Sequence, residues 1–220
     1  TADAVKQLIT SDNKALPVSS LPYSQACENN KYAIGSVLEH CFNQSSQVLE
    51  IGSGTGQHAV YFAKLLPHLI WQTSDQSFNY GGINAWLRAE PSLNLRPPLV
   101  LDVTQAWPIE KLELPIIDGI FTANTLHIMS KAMVQDLFRG LGEHLSLGGQ
   151  LCVYGPFNYQ GQYTCDSNRN FDQWLLEQNP RSAIRDIEWI TELAIEQGLK
   201  LKADHPMPAN NRLLHFEKNV

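Results

Sequence analysis

Apolar and polar positions change period repeatedly along the chain. Over residues 25–42, Ala33, Ile34, Val37, Leu38 and Cys41 recur at three- and four-residue spacing, which predicts an amphipathic helix. Residues 48–51 form a short continuous apolar run, as a buried strand requires, and 58–66 return to helical spacing. The alternation continues through "LIWQTSD" (strand), "NYGGINAWLRAE" (helix, despite two glycines), "PLVLDV" (strand), a linker around Trp107-Pro108 and "IDGIFTAN" (strand). Residues 131–145 predict a helix with Met133, Val134, Leu137, Phe138, Leu141 and Leu145 inward. Gly148-Gly149 then turns into the strand "QLCVYGPF". The loop "NYQGQYTCDSNRN" precedes helices around 171–177 and 184–197, and "LKLKADHPM" with "NRLLHFEKN" closes the chain as an antiparallel hairpin at the sheet edge.

Strands that alternate with helices, and read as near-continuous apolar runs, imply a parallel sheet covered by helices on both faces. Residues 1–24, with Pro17, Pro22 and several Ser and Asn, read as an N-terminal arm, which leaves 25–220 as a single domain. With 220 residues, 43% of them hydrophobic, the chain supports one such core and not two. The net charge of −6, with 16 Lys and Arg scattered, argues against long nucleic acid as a partner. No apolar run approaches the roughly 18 residues of a membrane span. The opening "TADAVKQLITSDN" lacks the regions of a signal peptide, so a cytoplasmic protein is expected. Cys27, Cys41, Cys152 and Cys165 are widely spaced and no histidine clusters at ligand spacing, which predicts reduced thiols and no metal.

The chemistry concentrates in "VLEIGSGTGQHAVYFA". Gly52, Gly54 and Gly56 let the backbone turn tightly after a first strand, and the helix that follows offers free N–H groups to an anion. A dinucleotide fingerprint, G-x-G-x-x-G, would place its third glycine at Gln57, and a P-loop would continue Gly-Lys-Ser/Thr; neither is present. Asp75 ends the second strand 19 residues after Gly56, where a ribose-binding acid falls. Asp102 ends the third strand, placed to accept from an adenine amine with Val103 beside the ring, or alternatively to cap a helix. Asn124 ends the fourth, beside the glycine turn.

This arrangement of strand ends resembles that of class I S-adenosylmethionine-dependent methyltransferases, from Lys31 to the C-terminus. "ENNK", "LEIGSGTGQHAVYFA", "WQTSD", "LDVTQAWP", "FTANTLHI", "YGPFNYQGQYT", "SNRNFD", "IRDIEWI" and "MPANN" are similar to motifs of the domain-of-unknown-function 938 family of methyltransferase-like proteins. Asn29 stands where that family usually has an arginine, and Thr73 where it usually has a proline. The resemblance implies an α/β, Rossmann-like three-layer sandwich whose seven-stranded, mostly parallel sheet ends in an antiparallel strand. It implies S-adenosylmethionine as cofactor and S-adenosylhomocysteine as product. Glu50, Gly52, Ser53, Gly54 and Gly56 would lie along the methionine part, Asp75 at the ribose, Asp102 and Val103 at the adenine, and Asn124 near the reactive end.

In-line attack on a sulfonium methyl disperses charge, so such a site supplies mainly position and exclusion of water, and a metal is not required. For the acceptor side, ligands of open α/β sheets bind outside the carboxyl ends of the strands. The segments able to reach that edge offer Asn30, Lys31, Asn158, Tyr159, Arg169 and Asn210 as substrate contacts. His127 is the first candidate for a base because its ordinary pKa lies near neutrality, with Tyr154 and Tyr163 next. The composition of these segments suits a small polar or partly aromatic acceptor. Arg185-Asp186 reads as an ion pair at a helix start. Two other readings stay open: a non-catalytic binder of S-adenosylmethionine or its product, and a nicotinamide- or flavin-dependent oxidoreductase.

Overall fold

A computed structural model describes residues 21–220. Of the expected N-terminal arm, residues 1–20 lie outside the described residues. The chain runs through α1 (Gln25–Cys41), β1 (Gln47–Ile51), α2 (Gln57–Leu65), β2 (Ile70–Asp75), α3 (Tyr80–Ala89), β3 (Leu95–Val100) and β4 (Ile117–Ala123). There follow α4 (Lys131–His144), β5 (Leu145–Gly155), β6 (Phe157–Asn158), α5 (Asp166–Gln178), β7 (Arg185–Asp186), α6 (Ile187–Glu196), β8 (Leu199–Met207) and β9 (Asn211–Lys218). Ser24 and Ser130 cap α1 and α4, their hydroxyls accepting from the amides of Cys27 and Met133.

Seven strands form one sheet in the order β3-β2-β1-β4-β5-β9-β8. Only β9 runs against the others: it pairs antiparallel with β5 on one side and with β8 on the other. The closing hairpin thus sits at the sheet edge as expected, with its second strand inserted inside its first. Alternate residues of each strand serve opposite cores. Leu151 and Val153 of β5 join Leu49, Phe138 and Ile190 in one, and Cys152 and Tyr154 join Val48, Phe62 and Trp71 in the other. This is the Rossmann-like three-layer sandwich.

Four details differ from the sequence reading. The third strand spans Leu95–Val100 rather than 98–103; β3 is a sheet edge, where Pro97 and Pro98 are tolerated, so Asp102 lies beyond the strand. Helix α5 starts at Asp166, because its first turn, residues 166–169, is wholly polar and carries no apolar signal. Gly148-Gly149 lies within β5, where pairing to β4 jumps from Ile117↔Leu145 to Gly119↔Gln150, and the helix before it ends at His144. The short parallel pair β6–β7 was beyond the reach of periodicity at two residues a strand.

Candidate functional site

Strand β1 ends under the glycine turn. Gly52, Gly54 and Gly56 all take positive φ, at 75°, 61° and 95°, in the region that side chains rarely occupy. Their surroundings separate their duties. A Cβ on Gly52 would meet Thr125 Cγ2 at 2.7 Å, and one on Gly56 would meet Ile83 and Trp86 of α3 at 3.2 Å. A Cβ on Gly54 would meet nothing within 4 Å. Gly52 and Gly56 therefore serve packing, and Gly54 faces open space.

Asp75, at the tip of β2, is turned onto this bend. Its Oδ2 accepts from the Gly54 amide at 2.8 Å and from Asn79 Nδ2 at 3.1 Å, and its Oδ1 accepts from the Gln76 amide at 2.7 Å. Burial pushes its carboxyl up, against these three donors, which pull it down. Glu50 lies deeper, 2% exposed, accepting from Trp71 Nε1 at 3.3 Å, and burial pushes its carboxyl up as well. Ser53 fixes the turn to β2: its hydroxyl accepts from the Ser74 amide and its own amide donates to the Ser74 carbonyl. Asp102 sits at the neighbouring tip, since the amide of Leu101 bonds the Asp75 carbonyl. One oxygen of Asp102 accepts from both the amide and the hydroxyl of Thr104, the local turn that short acids favour. Val103 is buried in the core.

The next strand tips carry a different feature. Asn124 adopts φ 57°, donates its amide to the Tyr154 carbonyl, and leaves Oδ1 buried with no partner. His127 Nε2 and Asn158 Oδ1 are likewise buried and unpartnered, and these three are the only such side-chain atoms among the described residues. Asn124 and His127 both approach Gly155 at the end of β5, each 3.8 Å from where its Cβ would stand. Native structures rarely leave such atoms orphaned, so Asn124 and His127, side by side at Gly155, mark a candidate ligand face. His127 is 2% exposed and packs edge-on to Phe171; burial, with Arg185 adding to it, holds its pKa down to about 3.

Arg185 corrects the sequence reading. No ion pair joins it to Asp186 among the described residues. Its guanidinium donates to the carbonyls of Leu126 and Met129 in the loop after β4, and to that of Arg181 four residues upstream. The bond clamps the segment that carries His127.

The remaining predicted residues separate into two groups. Asn30 accepts from His58 Nε2 at 2.7 Å and hydrogen-bonds Tyr154, whose phenol burial pushes up. Lys31 is held by Glu28 at 2.6 Å near the rings of Tyr32 and Tyr61. Tyr159 donates to Asp204, which also takes Arg212 at 2.8 Å. Tyr163 instead lies on the surface, donating to Asp172 beneath the Arg169 guanidinium, and Arg169 pairs with Asp166 at 3.5 Å. Asn210 is exposed in the turn between β8 and β9. Asn29 is exposed and accepts from Gln25, and Thr73 is buried, donating to the Arg96 carbonyl.

Sequence reasoning missed Gln57. Its Oε1 accepts from the Ser24 amide at 2.6 Å and from the Thr55 hydroxyl, and its Nε2 donates to Glu28 and to the Ser24 carbonyl. One side chain thus ties the start of α1 to the glycine turn. The signal was available, since a polar residue stood where helix packing would tolerate a glycine.

Many solved structures share this fold, three of which follow. An O-methyltransferase family protein from Burkholderia thailandensis aligns with 86% of the chain at TM-score 0.73 and 13% identity. An O-methyltransferase family 2 protein from Planctomyces limnophilus, solved with apigenin, aligns with 88% at 0.71 and 17%. Human N-acetylserotonin methyltransferase, solved with S-adenosylmethionine, aligns with 100% at 0.68 and 13%. The chain spans 56%, 57% and 66% of the lengths of these three proteins. No helix among the described residues is long and apolar enough to cross a membrane. The fold is that of class I methyltransferases, and the chain belongs to the family described as protein of unknown function (DUF938), whose model matches residues 21–218.

Proposed function

We propose that the protein is an S-adenosylmethionine-dependent methyltransferase, formed by one domain over 25–220, that methylates a small molecule. The observation that carries this reading is the Asp75 carboxylate held 2.8 Å from the Gly54 amide, beneath the open space that a side chain on Gly54 would enter. A glycine bend with an acid locked over it at the adjacent strand tip suits an adenosine bearing an amino-acid tail. The bound cofactor would supply a methyl on a sulfonium, the group transferred.

In this reading Gly54 presents its backbone to the methionine portion, on a bend that Gly52, Ser53 and Gly56 hold in place by packing and hydrogen bonding above the buried Glu50. Asp75 accepts from the ribose hydroxyls, and the free oxygen of Asp102, beside Val103, serves the adenine. Asn124, His127 and Asn158 hold the acceptor through their unpaired atoms. The depressed basicity of His127 assigns it hydrogen bonding and orientation rather than proton removal. Tyr154, whose phenol is pushed up, keeps its proton and supports Asn30. The shortage of a strong base favours a step driven by alignment, where positioning contributes up to about 7–11 kcal/mol. It equally suits the alternative, a protein that binds the cofactor without catalysis.

Calorimetry against S-adenosylmethionine, S-adenosylhomocysteine and NAD tests the site: the first two bind and NAD does not. Binding of NAD alone overturns it. Formation of S-adenosylhomocysteine in the presence of a metabolite pool separates the enzyme from the binder.

A further inference from the structure

The opposite side of the molecule gathers a second set of chemical groups. Cys41 ends α1, and His215 of β9 stands opposite Cys152 of β5 on the sheet face that α1 covers. His205 of β8 pairs with Leu213, two residues from His215 on that same face. The potential ligand atoms of Cys41, His205 and His215 all lie within 4.8 Å of one another. The three residues come from three elements, which is why their sequence spacing shows no metal pattern.

We propose that Cys41, His205 and His215 bind a zinc-type divalent ion, separately from the methyltransferase-like site. One thiolate and two imidazoles form the borderline-soft donor set that zinc selects. With Zn–S near 2.3 Å and Zn–N near 2.0–2.1 Å, tetrahedral ligand atoms lie about 3.3–3.8 Å apart, so closure from the observed spread needs shifts of about 1 Å. The surroundings already orient the ligands. Gln150 Oε1 lies 2.5 Å from His215 Nε2, which fixes the proton on that nitrogen and leaves Nδ1 with the lone pair. Cys152 and His215 both stand within hydrogen-bonding reach of the Cys41 sulfur, which already holds it beside the second ligand. Cys41 and His215 also line a cleft of about 540 Å³, together with His40, Asp118, Gly148 and Gln150. The fourth coordination position opens into that cleft, with Cys152 serving as donor to the Cys41 sulfur rather than as a ligand.

The test uses reduced, chelator-treated full-length protein titrated with Co(II), then Zn(II). The wild type takes up one equivalent of Co(II) with a thiolate-to-cobalt charge-transfer band, which Zn(II) displaces. Cys41→Ser abolishes the band, His205→Ala and His215→Ala weaken binding at least tenfold, and Cys152→Ser retains it. Absence of binding, or an unchanged band in Cys41→Ser, overturns the proposal; loss of binding in a folded Cys152→Ser overturns the open fourth position. A second measurement needs no variant. Maleimide labelling of wild-type Cys41, read by mass spectrometry, is blocked by Zn(II), and equal labelling with and without Zn(II) refutes the site.

Discussion

The two ends of one sheet treat their polar groups in opposite ways. At the amino end, Asp118 accepts from the amides of Ser46 and Gln47, and the Gln47 side chain donates to the carbonyls of Leu114 and Ile116. Those groups close on one another and need nothing further. At the carboxyl end, Asn124, His127 and Asn158 each leave a buried atom unpartnered, and Gly54 faces empty space. A buried unpaired polar atom costs about 1–3 kcal/mol, so the carboxyl end carries a penalty that the amino end does not. The difference makes the Asp118 and Gln47 network self-contained and leaves the carboxyl edge with unmet groups.

The largest effect should come from comparing one acid at each end. Asp75→Asn keeps the size of the side chain and removes the charge that would take ribose hydroxyls, each such bond being worth about 1.5–3 kcal/mol. Calorimetry should therefore show affinity for S-adenosylhomocysteine falling about 10- to 100-fold. Asp118→Asn should leave that affinity unchanged and lower the urea midpoint of unfolding. Equal loss of affinity in both variants would erase the distinction between the ends.

Protonation gives the next effect. His58, paired with Asn30, and His127, unpaired, are both buried and held down to about 4 and about 3. A histidine with a depressed folded pKa binds fewer protons in the folded state than in the unfolded one, so its contribution is intact above about pH 6.5 and falls with pH. From pH 6.5 to 5.0 each should cost about 2 kcal/mol of unfolding free energy. Glu50 and Asp75, raised by burial, act in the opposite sense: their contribution is present at low pH and lost as pH rises through the folded values. The clean observable is thus the difference between wild type and His127→Leu in urea titrations at the two pH values. Removing an unpaired polar atom should leave stability at pH 7 nearly unchanged, flatten the acid-side slope, and lower methyl transfer. An unchanged slope would show that His127 binds protons alike in the folded and unfolded states, against the shift described.

Glycine substitutions sharpen the same division at a smaller scale. Gly54→Ala meets no atom, so its cost is the left-handed backbone alone, about 1–2 kcal/mol. Its methyl enters the open space and should weaken cofactor binding about fivefold in a folded protein. Gly52→Ala meets Thr125 at 2.7 Å and should lower the melting temperature further. If Gly54→Ala binds S-adenosylhomocysteine normally, the space above it is not the cofactor's.

Much of this was legible because it is local. The glycine turn, its strand and its helix are contiguous, and the position of Asp75 follows from the length of one helix and one strand. Side-chain direction was not legible: Asp102 stands where an adenine-binding acid belongs, yet Thr104, two residues on, already occupies one of its oxygens. Arg185 reads as a partner for its neighbour Asp186, whereas three carbonyls brought from elsewhere compete for it. The unpaired atoms could not be read at all, since a missing partner is a property of three-dimensional packing. Cys41, His205 and His215 were hidden for the same reason.

Tyr163 supplies the smallest expected effect and a control on the carboxyl edge. Its loop is rich in Tyr and Asn, which made it a candidate base from sequence. In the structure its hydroxyl donates to Asp172, whose other oxygen accepts from the Ile184 amide, and its ring lies under Arg169 on the exposed surface. The bond to Asp172 is the main reason its phenol is pushed up, which further disfavours its acting as a base. Tyr163→Phe removes one exposed hydrogen bond, so stability should change by less than about 0.5 kcal/mol. Methyl transfer should stay within about twofold of wild type, against the larger losses expected for Asp75 and Gly54. A drop of tenfold or more with an unchanged melting temperature would extend the reacting surface out to α5, and the boundary drawn by the three unpaired atoms would have to move with it.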